Sequence, residues 1–174
     1  MALLAEELVE EWLNRQGYFT IRGIKIGVDE IDILAAKFNE DKTIDYRHVE
    51  VQASMRPISY ISRVPKEVQK QGKAPNSAAR TDQELVVGVE EWVNKKFFKA
   101  KKTKLMSSLV PAKWSSELVI NNVKSEKEVE LIQSHGIKII RLSKVLSDLQ
   151  QKEFIVKSAS GADFVDLVNM GKSV

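Results

Sequence analysis

The stretch EIDILAAKFNEDKTIDYRHVEVQAS, residues 30–54, sets carboxylates inside apolar runs: Asp32 lies among Ile31, Ile33 and Leu34, and Glu50 between Val49 and Val51. Side chains alternate faces along a strand, so residues two apart share a face at about 6.6–6.8 Å spacing. His48, Glu50, Gln52 and Ser54 then fall on one side, with Val49, Val51 and Ala53 on the other. In the preceding run Glu30, Asp32 and Leu34 share one face, and Ile31, Ile33 and Ala35 the other. Paired as a hairpin, the two runs can bring Asp32 and Glu50 side by side. Like charges directly opposite one another destabilise a sheet. A divalent cation between them would offset the repulsion and hold an attacking water. The plainer alternative is a half-exposed sheet whose outer face is simply polar.

The elements that must position these acids can be read from periodicity and punctuation. Residues 3–15 have Leu4, Leu8 and Trp12 on one side, widened by Ala5, Val9 and Leu13, which predicts an amphipathic helix stopped at Gly17. Residues 18–26, 30–38 and 46–54 predict three strands joined by short polar connections, as in antiparallel hairpins. Residues 55–80 hold Pro57, Pro65, Pro75 and Gly72 and predict a long, partly helical, basic loop, of a kind that is usually functional or mobile. Thr81 with Glu84 is a capping box opening a helix that buries Leu85, Val89, Trp92, Val93 and Phe97 and runs out into KKFFKAKKTK. A strand over 117–123, a second capping box at Ser125 and Glu128, a strand over 137–142, a short helix from Ser143 and a last helix over 160–170 complete the pattern. This alternation predicts a single α/β domain, 1–174, with a central mixed sheet and helices on both faces.

Composition narrows the chemistry. With no Cys and only His48 and His135, thiolate and all-His metal cages are ruled out, so a metal here would rest mainly on carboxylates, which favours Mg²⁺ or Mn²⁺. No apolar run approaches the roughly 20 residues of a membrane span, and the N-terminus lacks a signal pattern, so a cytoplasmic protein is the expectation. The net charge of +3 hides an asymmetry: residues 1–55 carry six Lys/Arg against eleven Asp/Glu, residues 56–113 thirteen against five, and residues 114–174 eight of each. An acidic segment followed by a basic one suits a cation site beside a surface that attracts polyanions. Arg56, Arg63, Lys66, Lys70 and Lys73 follow the Glu50 strand and should emerge near it. Lys95, Lys96, Lys99, Lys101, Lys102 and Lys104 sit at the end of the long helix, where the helix dipole favours them in any case. Tyr60 reads as pinning the basic loop, Trp12 and Trp92 as core residues on their helices' apolar stripes, with Trp114 also core, and His48 as a strand residue at the sheet's margin.

The segments AEELVEEWLNRQGYF, DEIDILA and HVEVQAS resemble the PD-(D/E)xK nuclease superfamily, in particular its resolvase-like and Mrr-like branches. The resemblance implies a restriction-endonuclease-like three-layer core, with Asp32 as the metal-binding Asp, Glu50 as the second acid and Gln52 where the family carries Lys. It divides the chain into a catalytic core (1–55), a basic loop and helix (56–113) and a strand-helix part (114–174). On the first helix Glu6 and Glu11 fall at the edges of the apolar stripe, while Glu7 and Glu10 point further outward; the family's helix Glu corresponds best to Glu6, then to Glu10. The implied mechanism is a Mg²⁺ held by Asp32, Glu50 and the Val51 carbonyl, with Glu6 helping through water. Gln52 can orient a water but carries no charge. Ser54 matches the small hydroxyl residue that follows the family motif and would hold phosphate or the motif strand. The implied function is a Mg²⁺-dependent DNA endonuclease, with RNA left open and a homodimer plausible. The alternatives are a nucleic-acid-binding protein that keeps the nuclease fold without hydrolysis, and an unrelated α/β interaction protein.

Overall fold

Leu8, Val9, Trp12 and Leu13 recur at helical spacing and form the buried stripe of α1 (Ala2–Arg15), which stops at Gly17, φ 88°. The computed structural model describes residues 2–54 and 56–151, so the helix expected over 160–170 lies outside the described residues. Three strands follow, β1 (Phe19–Ile26), β2 (Asp29–Phe38) and β3 (Ile44–Gln52), paired as an antiparallel meander. After α2 (Lys66–Lys70), α3 (Asp82–Lys96) and α4 (Ala100–Leu109), the strand β4 (Ser115–Ile120) pairs parallel to β3. The helix α5 (Glu126–Ser134) leads to β5 (Lys138–Arg141), parallel to β4, and α6 (Leu142–Gln151) closes the described chain. The sheet order is β1-β2-β3-β4-β5, so the strand carrying Glu50 is central.

The sheet is covered on both faces, giving a three-layer α/β architecture. On one face α1 and α6 bury Val9, Trp12, Leu13 and Val145 against Ile33, Val49, Val51 and Val119. On the other, α3 and α5 bury Leu85, Val89, Val93 and Ile132 against Leu118 and Ile120. Complete burial of a single such side chain is worth about 1.5–3 kcal/mol. The first cluster holds β3 through Val49 and Val51, and β4 is covered on both faces, through Val119 and through Leu118 and Ile120. No described helix is long and apolar enough to cross a membrane.

Four details depart from the expected pattern. First, the long helix does not continue through residue 104. It ends at Lys96, Phe97 turns inward to 1% exposure against Trp92 and His48, and a separate helix begins at Ala100. Burying Phe97 redirects the chain, so the lysines after it do not form one solvated helix end. Second, Ile31 does not share a core with Ile33 and Ala35. Gly23 adopts φ 67°, and the ladder passes from Arg22↔Ile33 to Ile24↔Ile31 without pairing Gly23 to Asp32. Beyond that break the hairpin turns over toward α4, and Ile31 packs with Leu34 and Met106. Third, Thr81 and Glu84 form the full reciprocal capping box, but Ser125 only accepts from the Glu128 N–H. The Glu128 carboxylate is drawn away into the interior, where it accepts from the Ile61 and Ser62 N–H groups and the Ser62 hydroxyl. Fourth, β4 stops at Ile120, and Val123 makes only an isolated bridge to Ile58.

Candidate active site

β3 delivers Glu50 into the face covered by α3 and α4, where it is fully buried. An isolated carboxylate there would be very unfavourable, and three groups converge to prevent it. His48 Nε2 lies 2.9 Å from Oε1, Lys102 Nζ lies 2.5 Å from Oε1, and Lys96 Nζ lies 2.9 Å from Oε2. Burial on its own would raise the carboxyl, but the His48 hydrogen bond and the two ammonium groups overcome it and hold the group down at about 2. His48 is therefore not at the sheet margin. It is 0% exposed against the Phe97 ring and bonds Glu50, with Nδ1 left without a hydrogen-bond partner among the described residues.

The register of β2 on β3 ends at Ile33↔Val49, so Asp32 and Glu50 stand opposite each other one step past the last pair. Asp32 leaves the ladder there, and its Oδ2 accepts the Val51 N–H at 2.8 Å. At 8% exposure and beside the Glu50 charge, its carboxyl is pushed up to about 7, burial contributing most and Glu50 next. Two neighbouring carboxylates thus have opposite characters: Glu50 is firmly ionised, and Asp32 sits near its midpoint at neutral pH.

The first helix adds a third acid. Glu6, half-buried on α1, has its carboxyl raised by burial, then by Glu30, with Glu50 also repelling it and Arg22 and Lys96 attracting it. Glu10, the second choice from sequence, is taken by Arg22 at 2.8 Å and by the Thr20 hydroxyl. Glu7 pairs with Arg22 and Glu11 with Arg15. The ammonium of Lys96 lies among the acids: Glu50, then Asp32, then Glu30 draw on it, and they raise its pKa despite burial.

A cleft of about 800 Å³ opens beside this cluster. Gln52 from the end of β3 lines it, together with Arg63, Lys66, Lys95, Lys96 and Lys99. The remaining residues expected at a nucleic-acid surface lie elsewhere. Lys70 pairs with Glu67 on the exposed face of α2, and Lys73 pairs with Glu84 at 2.6 Å. Arg56 is exposed, its N–H donating to Ser54 Oγ, while the Ser54 carbonyl accepts from Asn121. Lys99, though in the cleft, bonds Asp29 at 2.6 Å. Tyr60 pins the loop as expected, with the Arg80 guanidinium 4.2 Å from its ring centre. Trp12 is core and donates to Asp148, whereas Trp92 is half-buried and lines the cleft.

Two residues escaped the sequence reading. Lys102 reads as one of a solvated lysine run but is 2% exposed and anchored on Glu50. Gly88, inside a well-capped helix, is where the backbone of the basic loop meets α3: a Cβ at Gly88 would lie 2.5 Å from the Arg63 carbonyl oxygen. An isolated Gly within a helical pattern is the one available signal of such an approach.

The donor set suits a hard cation. Its acids, Asp32, Glu50 and Glu6, offer oxygen, the donor such a cation takes, and the Lys96 ammonium now draws on Glu50 and Asp32. Among the described residues no three Asp, Glu or His side chains stand ready-spaced around a metal. The Lys96 side chain, 2.9 Å from Glu50, is 30% exposed.

No protein-family model matches the chain, and no curated protein does. Among solved structures, the chain is similar to one described as a protein of unknown function, AF1548, with a TM-score of 0.47 and 12% identity over 98% of this chain and 79% of that one.

Proposed function

We propose that the protein is a metal-dependent endonuclease that hydrolyses DNA phosphodiester bonds, with the restriction-endonuclease-like core of the PD-(D/E)xK superfamily. The observation that carries this reading is the meeting of Asp32, Glu50 and Glu6 beside a cationic cleft, with Asp32 pushed up to about 7. Strongly shifted acids beside a cleft point to a functional site. Asp32, Glu50 and the Val51 carbonyl would hold Mg²⁺ or Mn²⁺, with Glu6 helping through water. The cation would supply charge neutralisation at the phosphate and acidify a bound water.

The rest of the work falls to the chain's own groups. Lys102 and His48 fix Glu50 in its ionised form and orientation. Gln52, at the cleft edge, can orient the attacking water by hydrogen bonding. Lys96, displaced from Glu50 by the cation, would supply the ammonium that the motif position of Gln52 lacks, arriving from α3 instead of β3. Arg63, Lys66 and Lys95 engage flanking phosphates, which makes binding fall with salt. The water, giving up one proton to solvent, attacks phosphorus; the P–O bond to the leaving group breaks, and the departing oxygen takes a proton from solvent.

One observation favours the second reading, a nucleic-acid-binding protein without hydrolysis: two ammonium groups already neutralise Glu50. The test is cleavage of supercoiled plasmid, branched DNA and single strands with Mg²⁺ or Mn²⁺, alongside Asp32→Ala. Cutting by the wild type alone is expected. Salt-sensitive binding with no cutting on any substrate would select the second reading.

A further inference from the structure

The cleft beside Glu50 has a size, a charge and an aromatic wall that together specify more than attraction to polyanions. About 800 Å³ falls within the range of pockets that enclose a small molecule, about 300–1,000 Å³. Such a space is large enough for a nucleotide-sized group. Cations line it against the single carboxylate of Glu91, which is itself occupied by the Lys66 N–H. Arg63, Lys66 and Lys95 are exposed and their side chains make no ion pair among the described residues.

The Trp92 ring is the distinctive part. It is packed edge-on against Phe97, with centroids 6.1 Å apart, and braced by the α3 core, so its orientation is fixed before any ligand arrives. The Trp92 side chain is half-buried and lines the cleft. A preset aromatic face among cations is the arrangement that binds unpaired bases, each stack being worth about 1–3 kcal/mol by alanine substitution. The loop that carries Arg63 is held in place as well. Gly88 lets the Arg63 backbone lie on α3, and Glu128 ties down Ile61 and Ser62. The cleft ends at Gln52 and Lys96, the latter 2.9 Å from Glu50.

We propose that this cleft takes an unpaired nucleotide of a nucleic-acid strand, its base on Trp92 and its adjoining phosphates on Arg63, Lys66 and Lys95, so that the site selects single-stranded or branched substrates. This rests on reading the carboxylate site as one that acts on nucleic acid, yet the two can fail separately. The same chemistry, a base with phosphate, is also offered by a free nucleotide, and the experiment separates them.

The full chain in EDTA is titrated with labelled oligothymidylate, an abasic oligomer of equal length and a duplex of equal length, read by fluorescence anisotropy, with dTMP as competitor. Oligothymidylate should bind about tenfold or more tighter than the abasic oligomer, from one stacked base, and tighter than the duplex. Trp92→Ala should abolish that advantage, and Trp92→Phe should keep most of it. The abasic comparison uses wild-type protein and so does not depend on any variant folding. Equal binding of the abasic oligomer or the duplex, no binding of any probe, or displacement by dTMP as effective as by the oligomer would each overturn the proposal. Strand-selective binding without cleavage in Mg²⁺ would leave it standing and remove the nuclease reading. Cleavage with duplex-only binding would do the reverse.

Discussion

Glu50 and Glu128 are both fully buried glutamates, yet their surroundings differ in kind. Glu128, in the first turn of α5, is satisfied by neutral donors of one loop: the Ile61 and Ser62 N–H groups and the Ser62 hydroxyl. Those donors are fixed by the backbone, and the result is an anchor. Glu50 is satisfied by charges on long side chains, Lys96 and Lys102, with His48 between. Of these only Lys96 reaches solvent, at 30% exposure, and beside the set a second acid, Asp32, has its carboxyl pushed up to about 7 by burial and by Glu50. Burial of a carboxylate therefore does not by itself mark a site. The nature of its partners does.

If this contrast is right, the largest effect should come from Glu50→Ala, which leaves Lys102 buried without its partner. A loss of about 3–5 kcal/mol is expected in urea denaturation, and Glu50→Ala combined with Lys102→Met should recover much of it. Glu128→Gln should cost about 2–3 kcal/mol, since hydrogen bonds to a charged group are lost. Its mark is local: amide exchange at Ile61 and Ser62 should speed up while that of β3 follows global stability. Gly88→Ala should destabilise by about 1–3 kcal/mol through the close contact at Arg63, although Ala is otherwise the better helix residue.

Asp32→Asn should do the opposite and stabilise the metal-free protein by about 1–2 kcal/mol at pH 8. The folded pKa of Asp32 is raised to about 7, above its ordinary 3.8. The folded state therefore holds this proton longer than the unfolded state does, and the contribution of the protonated group is present in full below the ordinary value. It is lost as pH rises through about 7. The Tm gap between Asp32→Asn and the wild type should accordingly widen from pH 5 to pH 8. A gap independent of pH would contradict the assignment. The smallest effect belongs to Lys70→Ala, whose partner Glu67 is exposed on α2. It should change neither stability, within about 0.5 kcal/mol, nor nucleic-acid affinity.

Alternation made the Asp32–Glu50 adjacency legible, because both strands are long, regular and joined by a short polar turn. The edges of the α1 stripe left Glu6 and Glu11 level and the family resemblance chose Glu6; the pairing of Glu11 with Arg15 is what separates them in the fold. Thr81 with Glu84 was legible as local chemistry complete within four residues. The same local signal failed at Ser125, because Glu128 found stronger partners more than sixty residues away. Lys102 was illegible because its burial follows from the turn at Phe97, and no Gly or Pro marks that turn. Ile31 was misplaced because period-2 alternation assumes an unbroken ladder, and Gly23 breaks it. Lys96 was read as one cation among many, since its distance to Glu50 depends on how α3 lies across the sheet.

The account stands or falls on whether Asp32 and Glu50 form a cation site that Lys96 vacates. Mn²⁺ binding, followed by electron paramagnetic resonance of the free ion with wild type, Asp32→Asn and Lys96→Met, measures this directly. The account predicts one Mn²⁺ bound by the wild type, none by Asp32→Asn, and tighter binding by Lys96→Met, in which no ammonium competes. Equal Mn²⁺ uptake by wild type and Asp32→Asn, or no uptake by either wild type or Lys96→Met, would contradict it.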